Sequence, residues 1–192
     1  MKLTHLASAS ILVVAISACS DRAIPTEASR SADGSLVSFD KGGTSDRTVN
    51  MMDACDGPSF GAQNPPILCT RNGGVTFPQL IAQLMANGSA GAWHNAPSEM
   101  DAKVGLTLTA MNRGGEVHTF TKVAHFGGGF VPEINGLLHL SPVPECLALL
   151  TPGHDDDFIL PGSADTDDTV QPGTSNYQCC IHPWMHTVVH GK

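Results

Sequence analysis

Along residues 104–110 apolar side chains fall on every second position, at Val104, Leu106, Leu108 and Ala110, which is the period of a strand with one buried face. Shorter segments at 48–53, 92–95, 116–123, 158–162, 168–170, 177–180 and 187–190 also read as strands, separated by turns such as Asn112-Arg113-Gly114-Gly115 and Pro172-Gly173. One stretch departs from this pattern. Phe77 to Asn87 has a proline near its start and Asn87-Gly88 at its end, the punctuation of a short helix. Many short strands with turns between them predict an all-β chain, a Greek-key sandwich or barrel with a short helical excursion. The connection 125–157, which carries Gly127-Gly128-Gly129 and several prolines, is long and is expected to cap one end of that sandwich.

The N-terminal part is of another kind. Met1-Lys2 precedes an apolar run from Ala7 to Ala18 that is too short to span a bilayer, the pattern of a secretory signal over 1–18. Ile16-Ser17-Ala18-Cys19 looks like a bacterial lipobox, which makes Cys19 the expected lipidation site. The expected location is extracytoplasmic, in the periplasm or at the cell surface, on a bacterial membrane held through the lipid. An ordinary signal peptide cut near Ala18 is the competing reading. Residues 19–47 are rich in Ser, Asp, Ala and Gly and poor in large apolar groups, as a flexible linker is, which leaves 48–192 as one domain. The balance of 18 acidic against 10 basic residues, with no Lys/Arg cluster, argues against nucleic acid as a partner.

The densest chemistry lies near the C-terminus, where Cys179, His182 and Met185 bring a thiolate, an imidazole and a thioether into one short loop. A Cys and a His in one plane with a weak axial Met are three of the four ligands of a blue-copper electron-transfer site, which needs a second His. The candidate is His118, in Gly114-Gly115-Glu116-Val117-His118-Thr119-Phe120, just after the alternating run. Cu(I) favours soft, low coordination and Cu(II) favours nitrogen, and a fixed Cys-His-His plane with a distant Met is acceptable to both. Zinc is a rival through Cys and His, but the paired Cys-x-x-Cys units of closed structural zinc sites are missing. His94, His125, His139, His154, His186 and His190 read as surface groups, with His125 alone kept as a neighbour of the ligands. Asp155-Asp156-Asp157 reads as a solvated loop without the alternating oxygen spacing of a calcium site.

Six cysteines occur: Cys19, Cys55, Cys69, Cys146, Cys179 and Cys180. With Cys19 assigned to lipid and Cys179 to metal, four remain, enough for two disulfides in an oxidising compartment. Cys55 and Cys69 would close a short loop, worth on the order of 3 kcal/mol in the chain-entropy model. Neighbours on a strand point to opposite faces, so Cys180 turns away from the metal side and is left, by elimination, to meet Cys146.

The Cys-x-x-His-x-x-Met loop, the Tyr177-Gln178-Cys179 entry strand and the upstream His118 together resemble the cupredoxin family, with a ligand loop as short as in its amicyanin-like members. The resemblance covers roughly residues 48 to 192. It implies a type 1 copper ion held by His118, Cys179, His182 and Met185, and a one-electron carrier meeting redox partner proteins. Thr119 stands where many cupredoxins have an Asn that ties the two ligand loops together, a task a threonine hydroxyl performs in part. His182 is expected to offer an exposed edge as electron exit, with Pro183 and Trp184 as an apolar docking patch. The alternative is a protein that holds copper for delivery or sequestration. An enzyme is disfavoured because multicopper oxidases build further copper sites from His-x-His pairs, and the sequence has none.

Overall fold

The computed structural model describes residues 47–154, 157–166 and 168–192. The secretory signal, Cys19 and all of the linker but Arg47 lie outside the described residues, as do Asp155 and Asp156. In chain order the elements are β1 (Thr48–Met52), α1 (Gly57–Gly61), α2 (Phe77–Asn87), β2 (His94–Ala96), β3 (Glu99–Ala102), β4 (Thr109–Asn112), β5 (His118–Thr119) and β6 (Thr121–Val123). They continue with α3 (Pro132–Leu138), α4 (Pro144–Ala148), β7 (Phe158–Ile159), β8 (Ala164–Asp165), β9 (Gly173–Gln178) and β10 (His186–Gly191).

The strands form two open four-stranded sheets, ordered β2-β1-β4-β8 and β3-β10-β9-β6, and a short β5-β7 pair. Both sheets are mixed: β1 runs parallel to β4 and antiparallel to β2, while β10 runs parallel to β3 and antiparallel to β9. Period-two burial explains why they stack. Val49 and Met51 of β1 and Ala110 of β4 meet Met100 of β3, Tyr177 of β9 and Val189 of β10 in one core. Each fully buried aliphatic side chain there contributes about 1.5–3 kcal/mol. Tyr177 also stacks on Phe120 with ring centroids 4.5 Å apart. The fold is a β-sandwich with short helices, and its sheets do not close into a barrel.

The helix α2 runs from Phe77 to Asn87, the residues predicted, because its ends are specified locally. Gln79 Oε1 accepts the Thr76 N–H at 2.8 Å, and Gly88 ends the helix at φ 69°, in the left-handed region that glycine enters without cost. The alternating run is strand only in its second half. Gly105 turns the chain at φ 84°, Val104 is exposed, and regular pairing begins at Thr109. The long 125–157 connection contains α3 and α4, each opening on a proline that suits the first helical turn.

Candidate metal centre

Strands β9 and β10 are antiparallel neighbours, with Gln178 opposite His186, so residues 179–185 form the loop that joins them. The Cys179 N–H donates to the Met185 carbonyl at 3.1 Å and the Met185 N–H to the His182 carbonyl at 2.9 Å, which closes the loop on itself. His118 enters from β5, held opposite Ile159 of β7. All four expected ligands are buried: Cys179 and His118 at 0%, Met185 at 1% and His182 at 2% exposure.

Three of their donor atoms form a triangle. Cys179 Sγ lies 3.7 Å from His118 Nδ1 and 3.7 Å from His182 Nδ1, and the two Nδ1 atoms are 3.2 Å apart. Nitrogen and thiolate donors sharing one first-row ion at about 2.0–2.1 and 2.3 Å lie about 3.3–3.8 Å from one another. The triangle therefore fits a metal of that kind with little movement. Met185 supplies a buried thioether from the same loop.

The opposite edges of both imidazoles meet carboxylates. Asp53, just past the end of β1, receives His118 Nε2–H at 2.9 Å, the Gly115 N–H at 2.8 Å and the Glu116 N–H at 3.0 Å. A carboxylate accepts only, so His118 carries its proton on Nε2 and turns Nδ1 to the triangle. Glu116 Oε2 stands 3.6 Å from His182 Nε2, beyond a full hydrogen bond, and accepts Trp93 Nε1–H at 2.6 Å. Gly114 is required by this closeness, since a Cβ there would strike Asp53 Oδ2. Asn112, fully buried, donates to the Glu116 and Ile159 carbonyls at 2.7 and 2.8 Å and accepts the Gly114 N–H at 2.8 Å, which fixes the turn.

These contacts set the charges. Burial pushes the Cys179 thiol up, but hydrogen bonds and charge from His118 and His182 outweigh it and hold the thiol well below its ordinary range. Burial depresses His182, yet its contacts with Cys179 and Glu116 push it up to about 10. His118 is raised in the same way: burial opposes, and Asp53 and Cys179 prevail. Asp53 is raised by burial, but His118 and the two backbone donors hold its carboxyl far below the usual carboxylate range. The cluster thus favours the thiolate form of Cys179 and raises the proton affinity of both imidazoles beside it.

Further ties fix the thiolate. The Thr119 and His182 N–H groups each donate to Cys179 Sγ at 3.4 Å, and Thr119 Oγ1 accepts the Cys180 N–H at 2.8 Å. The threonine thereby links β5 to the 179–185 loop. The disulfides are Cys55–Cys69 and Cys146–Cys180, and Cys179 is a free, buried thiol.

Two expectations require correction. His182 has no exposed edge: Trp93 and Trp184 pack their rings 6.5 and 5.5 Å from it, and Pro183 beside it is buried as well. Only Trp184 of that loop's apolar pair is partly exposed, its Nε1–H donating to the Trp93 carbonyl at 3.2 Å. His125 is exposed; the imidazoles' outer partners are Asp53 and Glu116 instead. Glu116 lies two residues before His118, in the bend that leads into β5 rather than on the strand, and its N–H on Asp53 and carbonyl on Asn112 fix it there. Nothing local in the sequence marks Asp53, Glu116 or Trp93 as neighbours of the imidazoles.

No protein-family model and no curated protein matches the sequence. Among solved structures the chain is similar to a purple cupredoxin from Nitrosopumilus maritimus, at 15% identity over 77% of this chain and 100% of that one, with a TM-score of 0.39. It is also similar to amicyanin variants in the Cu(I) state. One is 20% identical over 56% of this chain and 89% of that one, TM-score 0.34. Another is 22% identical over 54% and 77%, TM-score 0.33. At this degree of likeness the reading of the site rests on the distances above.

Proposed function

We propose that this chain is a type 1 copper protein on a cupredoxin-like sandwich, carrying single electrons between redox partner proteins outside the cytoplasm. The observation that supports this most is the buried Cys179–His118–His182 triangle, with donor atoms 3.2–3.7 Å apart. Copper held by these residues and Met185 would supply a one-electron couple. The chain's own part is to keep the ligands still. Asp53 orients His118, two N–H donors steady the thiolate, and Thr119 joins the segments. Burial keeps water from the ligands, and a site that moves little costs little to oxidise or reduce.

Trp184, in edge contact with His182 and partly exposed, takes the role of electron exit that the covered His182 edge cannot play. Pro183 and Trp184 line an apolar recess with Phe126, Leu138, Leu140 and His186, a surface suited to docking a redox partner. The test is voltammetry on the copper-loaded protein. A carrier cycles reversibly and keeps its metal, and Trp184→Glu slows exchange with a partner while leaving the visible spectrum in place. Loss of copper to an acceptor on each reduction would instead favour delivery or sequestration.

A further inference from the structure

The contacts of Glu116 go beyond what holding a metal requires. Its side chain is nearly inaccessible to solvent, at 6% exposure, and Oε2 is pinned by Trp93 Nε1–H at 2.6 Å while facing His182 Nε2 at 3.6 Å. Trp93 is itself 1% exposed and stacks on Phe60, whose ring is 6.1 Å away and fully buried. A carboxylate on a surface helix is solvated and movable; this one is fixed by a rigid aromatic in a dry wall. Its backbone is equally constrained, with the N–H on Asp53 and the carbonyl on Asn112.

The charge count gives this placement a consequence. Cys179 as thiolate, Asp53 and Glu116 set three buried negative groups around the triangle, with both imidazoles neutral when they ligate. A dication there leaves one negative charge in excess, and a monocation leaves two. In a low-dielectric interior, the second charge is the costlier to hold.

We propose that Glu116, fixed by Trp93, is a positioning residue that orients His182 and biases the site toward the oxidised ion, lowering its reduction potential. This rests on the copper reading of the site given above. Glu116 acts through His182: facing Nε2, it favours the ring orientation in which Nδ1 points at the triangle, and its charge is felt through the imidazole. Asp53 does the same for His118 by a direct hydrogen bond, so both histidines are backed by anions.

The test compares the copper-loaded wild type with Glu116→Gln and Glu116→Asp by redox titration, alongside visible spectra. Gln keeps the size of the side chain and an oxygen that accepts from Trp93, and it removes the charge alone. We expect Glu116→Gln to retain its thiolate-to-copper band and to shift the Cu(II)/Cu(I) ratio at fixed potential about tenfold toward Cu(I). For a one-electron couple that is a rise of about 59 mV. Glu116→Asp keeps the charge at a longer reach and is expected to stay closer to wild type. An unchanged potential in Glu116→Gln, or equal shifts in the Gln and Asp variants, would overturn the proposal and leave the copper reading standing. A wild-type protein with no thiolate-to-copper band would overturn the copper reading itself and this inference with it.

Discussion

Replacing Thr119 by valine tests whether the hydroxyl that joins the two ligand segments carries the task expected of it. Valine matches threonine in shape, and the site is fully buried, so the change removes the acceptor of the Cys180 N–H and of the partly buried Thr121 hydroxyl without altering the packing. That N–H then sits in the interior without a partner, which costs about 1–3 kcal/mol. For a domain of this size each kcal/mol lowers Tm by roughly 2–4 °C. Urea denaturation of the metal-free protein measures the loss directly. Thr121→Val is the control: its hydroxyl donates to Thr119 Oγ1 at 3.1 Å from a partly buried position, and its removal should cost under about 1 kcal/mol. The Thr119 N–H still reaches Cys179 Sγ in the variant, so the copper-loaded spectrum should persist. A Thr119→Val protein within about 0.5 kcal/mol of wild type, or a costlier Thr121→Val, would refute the reasoning.

Two other outcomes are expected. Asp53 has a folded-state pKa depressed below its unfolded value, so its contribution to stability is present above about pH 4 and is lost as pH falls toward the folded value. Between about pH 4 and pH 2, metal-free wild type should lose up to about 1.4 kcal/mol per pH unit more than Asp53→Asn, and parallel stability curves would contradict this. For the N-terminal signature, metabolic labelling with fatty acid should mark the protein and Cys19→Ser should abolish the label; an unlabelled wild type would remove the lipid anchor from the account.

What the sequence made legible is what short-range chemistry specifies. The helix α2 has its proline and its left-handed glycine within the segment, so its ends could be read. The Cys179–Met185 loop carries its candidate ligands at fixed spacing, and Cys180 is in a disulfide while Cys179 is free, as expected, although both lie just past the end of β9. The helices α3 and α4, at seven and five residues, are too short to show a helical period, and only their leading prolines announced them. Asp53 and Trp93 were illegible because their importance comes from contacts across 65 and 23 residues of chain, to His118 and Glu116. In an acidic chain a lone carboxylate reads as solvated surface. The covering of His182 escaped for the same reason, since Trp93 arrives from a segment with no local link to the loop.

The central claim is that Cys179 supplies a thiolate to copper with His118 and His182. Visible absorption of the Cu(II)-loaded protein, compared between wild type, Cys179→Ser and Cys180→Ser, tests it most directly. An intense thiolate-to-copper band in the visible is expected in wild type, with its loss in Cys179→Ser and its survival in any Cys180→Ser protein that folds. A band that survives Cys179→Ser but vanishes with Cys180→Ser, or no band in wild type at all, would contradict it.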